Sequence, residues 1–462
     1  MKKLTNRRQM FFYACSAMGV NLLNIIVGSY LCSALLIGGF GEDAIKNQTF
    51  AGKDLVVAGV WMAFGLVAKI IDGVIDIPMA SLTDNLKSRW GRRRPTLLGG
   101  LIVLILSYSA FALITPVDGV SLVNTIFYGV TLCIYYTAYT LTMVTYYATF
   151  TEIVDSEADR NYISNVKSVC DIVYFIIGYV VVGMLLKGMN IRLVAMIMLP
   201  LVLLMLIPMF MIKEPSTLKA DAPQEKSVNL FKSLAYTFKD KNFVIWMCVY
   251  SLMTFGVQLF LGGINEYFSY TGMSMIYVMV AAFVPVPFTL IIYNKLIEKH
   301  GFRFAFRYVL IVFAAGMTAL FAVSFLPKGT LRTVLSIVVG LISSFSVGAL
   351  FAVAYSIPSQ LAAEDEARTG ITRSAMYFAV QGLFAGVALG IATGIVLVVL
   401  KQYGGMSYLT LISAIAMIVS LAGTWLLPQS IARLGKKEKT DNSQSAVTEE
   451  KPQSEVGSGE NN

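Results

Sequence analysis

The chain has 462 residues, of which 56% are hydrophobic and only 14% are charged, whereas soluble domains carry about 25% charged residues. A water-soluble fold could not bury that much apolar surface, and apolar runs of about 20 residues, enough to cross a bilayer, recur along almost the whole sequence. The basic residues behind the net charge of +9 lie between these runs and in the tail, a distribution typical of membrane orientation and not of nucleic-acid binding. The sequence contains no nucleophile, metal cluster or phosphate-binding loop with useful spacing, so we expect neither an enzyme nor a bound cofactor.

The hydrophobic runs predict an all-α membrane protein with twelve spanning helices. In chain order these spans lie near residues 10–38, 55–82, 95–114, 120–147, 166–186, 191–212, 243–268, 273–294, 304–326, 333–357, 374–400 and 406–427. The longest hydrophilic interruption predicts an N-terminal half of residues 1–212, a cytoplasmic linker of residues 213–242 and a C-terminal half of residues 243–431. Residues 432–462 are polar and almost free of bulky apolar side chains, which predicts a disordered cytoplasmic tail.

Lys and Arg set the orientation of a membrane protein, because cytoplasmic loops retain them. Most of the 36 basic residues fall at the N-terminus, in alternate loops and in the tail, and few, Lys401 among them, fall on the other side. Both termini are therefore predicted to face the cytoplasm, in a multi-pass protein of the cell inner membrane.

An internal repeat supports the division into six and six spans. Glycine followed two residues later by arginine occurs at 91–93 after span 2 and at 301–303 after span 8. An acidic cluster running into arginine follows span 4 at Arg160 and span 10 at Arg368, at nearly the same separation. Two parallel six-helix halves would produce this spacing, with the substrate site at their interface near the middle of the membrane.

Span 2 contains three charged residues, Lys69, Asp72 and Asp76, which share a stripe about 60° wide on a helix. Each costs roughly 2.5–3.5 kcal/mol at a span centre, so the three must point into the protein. One interpretation is a structural ion pair of Lys69 with Asp72, and Asp76 bonded to a neighbouring helix. The other is a site for Na⁺ or H⁺, in which Lys69 neutralises one carboxylate when the cation is absent.

The loop that follows span 2 is a candidate cytoplasmic gate, because its glycine permits a tight turn and its arginines can bind carboxylates or helix ends. The alternative is simple positive-inside anchoring. The loop and the two acidic clusters together supply the gate candidates Asp84, Gly91, Arg92, Arg93, Arg94, Glu152, Asp155, Arg160, Glu364 and Arg368.

Span 4 is unusually rich in Tyr and Thr, which suits either the wall of a sugar pocket or interfacial anchoring and helix packing. Lys167 and Asp171, one turn apart in span 5, either pair with each other or leave the lysine for substrate. The glycines at 382, 386, 390 and 394 in span 11 predict the close approach of another helix. Glu266 is either a pocket residue or a surface residue. The substrate-binding candidates are Asn21, Tyr139, Tyr147, Lys167 and Gln381.

Three motifs carry a resemblance to a known family: Ile71-Asp72-Gly-Val-Ile-Asp76-Ile-Pro78, Gly91-Arg-Arg-Arg-Pro95 and Tyr146-Tyr-Ala-Thr-Phe-Thr-Glu152-Ile-Val-Asp155. With them the sequence resembles the glycoside–pentoside–hexuronide:cation symporter family, which includes the melibiose carriers, over nearly all twelve spans. The resemblance implies a major facilitator fold and alternating access.

The resemblance also implies roles for individual residues. Asp72 and Asp76 stand where the family has cation-binding carboxylates, and Thr140 matches a coordinating threonine. Ile75 replaces the asparagine of the cation site, so the coupling ion is left as Na⁺ or H⁺. Asn21, Tyr147 and Lys167 replace a sugar-binding aspartate, a stacking tryptophan and a sugar-contacting arginine, so melibiose itself is not the expected cargo.

We therefore expect a cation-coupled symporter of a sugar, glycoside or uronide, which functions as a monomer in the bilayer. Two alternatives stay open: a symporter of a lysophospholipid or another amphiphile with the same fold, and a non-transporting membrane sensor.

Overall fold

In the computed structural model, the described residues are 4, 6–75, 78–79, 86–154, 157–216, 241–369, 374–427 and 429. Within these ranges the regular elements are all helices, so the predicted all-α class is confirmed. Among the described residues, eight segments are long and apolar enough to cross a bilayer, and the bent helix pair Met275–Phe283 and Val286–His300 makes nine. Each of the twelve predicted spans coincides with a helix or a run of helices, and the same span numbers are kept below.

Among the described residues, the N-terminal half contains spans 1 to 6 and a short connecting helix, Glu42–Gln48. Their bounds are Arg7–Cys15, Met18–Ile26, Val27–Leu31 and Ser33–Leu35 for span 1, Ala58–Val74 for span 2, Arg93–Leu113 for span 3, Leu122–Glu152 for span 4, Glu157–Ile176, Ile177–Val181 and Val182–Leu185 for span 5, and Ile191–Met198, Leu199–Met205 and Leu206–Met211 for span 6.

The C-terminal half contains spans 7 to 12. Their bounds are Lys241–Gly262 and Ile264–Thr271 for span 7, Met275–Phe283 and Val286–His300 for span 8, Phe302–Ser324 for span 9, Thr330–Thr369 for span 10, Ser374–Leu389, Gly390–Val396 and Leu397–Gln402 for span 11, and Met406–Tyr408, Leu409–Gly423 and Thr424–Leu426 for span 12. The boundaries predicted for the two halves, the linker and the tail stay predictions.

Spans 1, 5 and 11 each contain a π-helical segment, at Val27–Leu31, Ile177–Val181 and Gly390–Val396. A π-segment widens the helix locally and is often found at functional sites. All three segments contribute residues to the wall of one cavity between the halves.

The halves meet most closely where span 2 packs on span 11. A Cβ atom added at Gly386 would lie 2.6 Å from the carbonyl oxygen of Lys69, and one added at Gly394 would lie 2.9 Å from the carbonyl carbon of Gly65. A Cβ added at Gly73 would lie 2.6 Å from the carbonyl oxygen of Gly382. The helix approach expected from the glycine repeat is confirmed, and its partner is the helix that carries Lys69 and Asp72.

The glycines of the two repeated loops share a positive φ. Gly91 and Gly301 have φ values of +82° and +87°, which strongly favour glycine. Nearby arginines reach carbonyl groups at the end of the last span of each half: Arg94 donates to Met209 at 2.8 Å, and Arg303 donates to Leu427. The repeat therefore corresponds to one structural motif that occurs in both halves.

Candidate functional site

A cavity of about 410 Å³ lies between the two halves, within the range of about 300–1,000 Å³ typical of small-molecule sites. Spans 1, 2, 4 and 5 of the first half and spans 7 and 11 of the second half form its wall. The cavity therefore occupies the place where transporters with parallel repeats bind cargo.

Lys69, Asp72 and Thr140 come together at this cavity. The Thr140 hydroxyl donates to one carboxylate oxygen of Asp72 at 3.1 Å, and Lys69 Nζ lies 3.7 Å from the other. Lys69 Nζ also lies 3.5 Å from the ring centroid of Tyr136, at cation–π distance. The Asp72 side chain is 22% exposed, so its carboxylate is held by a hydroxyl and a loosely placed ammonium and is still accessible from the cavity.

The residue before Thr140 in span 4 reaches a different group. The Tyr139 hydroxyl donates to the side-chain oxygen of Asn21 at 3.1 Å, and both residues line the cavity. Consecutive residues of one helix, Tyr139 and Thr140, thus contact a candidate substrate residue and a candidate cation residue.

The other substrate candidates lie outside the residues that line this cavity. Lys167 forms an ion pair with Asp171 at 2.6 Å, and its Nζ lies 5.4 Å from the ring centroid of Tyr147. Gln381 is buried and accepts a hydrogen bond from Trp246 Nε1 at 2.9 Å. These contacts stabilise the packing of spans 4, 5, 7 and 11.

Gly91, Arg93 and Arg94 of the candidate gate contact span 6 or the segment directly after it. Glu214 accepts a hydrogen bond from the backbone N–H of Arg93 at 2.8 Å, and it packs so tightly on Gly91 that a Cβ there would lie 2.3 Å from the Glu214 Cβ. The Arg92 carbonyl accepts from Thr96. Asp76, Asp84 and Asp155 lie outside the described residues, as do the side chains of Glu152, Arg160, Glu364 and Arg368.

A buried charge cluster lies beside the cavity, at the end of span 1 opposite the N-terminus. Lys401 Nζ donates to Glu266 at 3.0 Å and to the Ser33 carbonyl at 2.8 Å, and the Ser33 hydroxyl donates to the same Glu266 oxygen. The Lys401 and Glu266 side chains are 3% and 0% exposed. Because Ser33 belongs to the first half and the two charged residues to the second, these contacts tie the halves together. The three residues are called the outer cluster below, after the orientation predicted from the sequence.

Sequence reasoning missed this cluster, because it placed Lys401 in an outer loop and left Glu266 unassigned. It also missed the aromatic wall formed by Trp61, Tyr174, Phe175 and Tyr179. The available signal was the presence of two opposite charges near the ends of spans 7 and 11, which are expensive to bury unless they pair. Within the described residues, no group of three or more His, Cys, Asp or Glu side chains could hold a metal ion.

This bundle, with its cavity between two repeated halves, defines a secondary transporter of the major facilitator type. The chain belongs to the MFS/sugar transport protein family, which matches residues 12–414.

Solved structures with the same fold include the nucleoside transporter NupG, at 13% identity and a TM-score of 0.60 over 92% of this chain and 99% of that one. A bacterial homolog of the human lysosomal transporter Spinster, in an inward-facing and unoccupied conformation, matches at 12% identity and a TM-score of 0.57, over 94% of this chain and 99% of that one. No curated protein sequence matches the chain.

Proposed function

We propose that the protein couples movement of a sugar or glycoside to entry of Na⁺ or H⁺, as a member of the glycoside–pentoside–hexuronide:cation symporters. The observation that carries the proposal is the Asp72 carboxylate, bonded to Thr140 and only loosely paired with Lys69 at the cavity wall. A carboxylate in a protein interior needs a positive partner. A cation from outside can take the place of Lys69, while the ammonium keeps a favourable contact with the Tyr136 ring.

Asp76, four residues after Asp72 in the sequence, is the proposed second carboxylate of the cation site. Two carboxylates and the Thr140 hydroxyl would supply oxygen ligands to Na⁺, or one carboxylate would take up the proton. Ile75 supplies no oxygen ligand, so both ions are included in the test below.

Coupling between the two ligands is proposed to run through span 4. A cation at Asp72 fixes Thr140, and Thr140 is covalently next to Tyr139, which orients Asn21. The same cation acts on the contact between the halves, because the backbone of Lys69 abuts Gly386. Cargo binding and the relative movement of the halves thus respond to one site.

The proposed orientation has both termini in the cytoplasm of a cell with an inner membrane, so the outer cluster faces away from the cytoplasm. The protein is proposed to work as a monomer, since the cavity wall is built from both halves of one chain. Alternating access then requires the outer cluster to open when the cavity takes up cargo from outside.

The test is a thermal-unfolding screen of the purified protein against neutral glycosides, uronides, nucleosides and lysophospholipids, in Na⁺, Li⁺ and K⁺ and at two pH values. A ligand stabilises the folded state by RT ln(1 + [L]/Kd), so 100-fold saturation contributes about 2.7 kcal/mol. We expect a sugar or glycoside to raise Tm, and to raise it more with Na⁺ or at the lower pH. Stabilisation by nucleosides or lysophospholipids alone would refute the sugar assignment.

A further inference from the structure

Two carboxamides line the cavity and do not take part in the network described so far. Asn24 lies on span 1 in the first half, and Gln258 lies on span 7 in the second. The side-chain oxygen of Asn24 is buried without a hydrogen-bond partner among the described residues. No residue in the described ranges hydrogen-bonds the Gln258 amide either. A buried polar group without a partner costs about 1–3 kcal/mol, so the Asn24 oxygen gains from a ligand donor. The Gln258 side chain is partly buried and lines the cavity, so its amide can bond a ligand there.

The helices place the two amides at a similar depth. Spans 1 and 7 run in the same direction and touch where the Ser29 hydroxyl donates to the Leu261 carbonyl at 3.0 Å. Asn24 precedes this contact by five residues and Gln258 by three, which corresponds to about 7.5 Å and 4.5 Å along the two helices. The amides therefore flank one level of the cavity, one from each half.

The charges around this level are already compensated. Lys69 lies 3.7 Å from Asp72 and Lys401 lies 3.0 Å from Glu266, and these pairs include all the described charged residues of the cavity wall. The described wall therefore offers neutral donors and acceptors to a ligand and carries no unpaired charge.

An aromatic surface lies beside the amides. Phe175 and Tyr179 stack on Phe283 of the other half, with ring centroids 5.4 Å and 6.0 Å apart. Trp61 and Tyr174 also line the cavity. Sugar rings bind by stacking their C–H faces on such rings while amides bond their hydroxyl groups.

We propose that Asn24 and Gln258 clamp the hydroxyl groups of an uncharged pyranoside between the two halves, with the ring against the aromatic wall. This inference rests on the proposed function and narrows its cargo to a neutral glycoside, in place of a uronide. Since one amide belongs to each half, the bound sugar itself joins the halves at the level of the cavity.

The experiment measures equilibrium binding and not transport, so that it is independent of ion coupling. The full-length protein is titrated calorimetrically with 4-nitrophenyl hexopyranosides of different configuration and with 4-nitrophenyl glucuronide. The variants are Asn24→Leu and Gln258→Leu, which keep a similar shape without the amide, and the matched control is Gln9→Leu at an exposed position of span 1. Thermal unfolding of each variant reports whether it is folded.

We expect a neutral glycoside to bind, and each cavity variant to raise its Kd about three- to tenfold, the size of one or two lost neutral hydrogen bonds. Gln9→Leu should leave Kd unchanged. Gln258→Leu is decisive if Asn24→Leu fails to fold, because the Gln258 side chain is only partly buried.

Three results would overturn the inference: unchanged Kd in folded cavity variants, preference for the glucuronide, or no binding of any neutral glycoside. Glucuronide binding that depends on Na⁺ or pH would leave the proposed symport intact. If a neutral glycoside binds in an amide-dependent way and cations have no effect, the proposed cation coupling would be refuted and the proposed role of Asn24 and Gln258 would stand.

Discussion

The outer cluster of Ser33, Glu266 and Lys401 is expected to determine how often the cavity opens at that end. Lys401→Met keeps most of the apolar stem and removes the ammonium, which leaves the Glu266 carboxylate buried and unpaired. Breaking a buried pair in this way costs about 3–5 kcal/mol, and exposures of 3% and 0% mean that solvent does not screen it. When the cavity opens outward, water reaches Glu266 and most of this cost disappears.

The variant should therefore shift the equilibrium toward the state that is open at the outer end. A cost of about 3–5 kcal/mol corresponds to a shift of about two to almost four orders of magnitude, at about 1.4 kcal/mol per factor of ten. Cys32 is a native reporter, because it lines the cavity and is partly buried. In a variant whose other four cysteines are serine, a membrane-impermeant maleimide added from the side opposite the termini should label Cys32 slowly. Lys401→Met in the same background should label it at least tenfold faster.

The double variant Glu266→Gln with Lys401→Met is the control, because replacing both charges removes the unpaired carboxylate and is often nearly neutral in energy. In the double variant, the maleimide should label Cys32 at a rate close to the slow rate of the parent. Equal labelling of Lys401→Met and its parent would refute the idea that this pair holds the outer end closed. Fast labelling of the double variant would mean that packing, and not the charge pair, does so.

Two further predictions concern the helices beside the cation site. Gly386→Ala places a Cβ 2.6 Å from the Lys69 carbonyl oxygen, so overpacking should cost about 1–3 kcal/mol and lower Tm by several degrees. The control is Gly59→Ala on span 2, where an added Cβ meets nothing within 4 Å and Tm should not fall. Equal Tm values for the two variants would contradict the close contact. Tyr139→Phe removes the hydrogen bond to Asn21 and should raise the Kd for the sugar about two- to tenfold. Titrations with and without Na⁺ should also show that this Kd depends less on the cation than in the wild type. Unchanged cation dependence would exclude span 4 as the link between the two sites.

The sequence predicted well those features that depend on one helix or on local backbone chemistry. The spacing of Lys69 and Asp72 places both on one stripe of span 2, and the structure pairs them. Gly91 predicted a tight turn, and both Gly91 and its repeat counterpart Gly301 have positive φ. The four-residue glycine period of span 11 predicted a close helix partner, because only the absence of side chains allows such an approach.

Features that depend on which helices face each other could not be read from periodicity. Lys401 looked like a loop residue, but its partner Glu266 is 135 positions away in sequence. Gln381 and Gln258 are both polar residues within spans. Gln381 accepts a hydrogen bond from Trp246, whereas Gln258 lines the cavity. The rotation of each helix about its axis makes this difference, and tertiary packing sets that rotation.

The central claim is that a cation at Asp72 drives accumulation of a sugar. Its most direct test is uptake into proteoliposomes that contain the wild type, Asp72→Asn or Asp118→Asn, with an imposed Na⁺ or proton gradient and the glycoside that binds best. Asp118 is a matched control, because it forms an exposed surface pair with Lys53.

Wild type and Asp118→Asn should accumulate the sugar above its external concentration. Asp72→Asn should only equilibrate it, while still exchanging internal for external sugar, since neutralising the carboxylate removes cation binding and leaves the cavity intact. Accumulation by Asp72→Asn at the wild-type level would contradict the account.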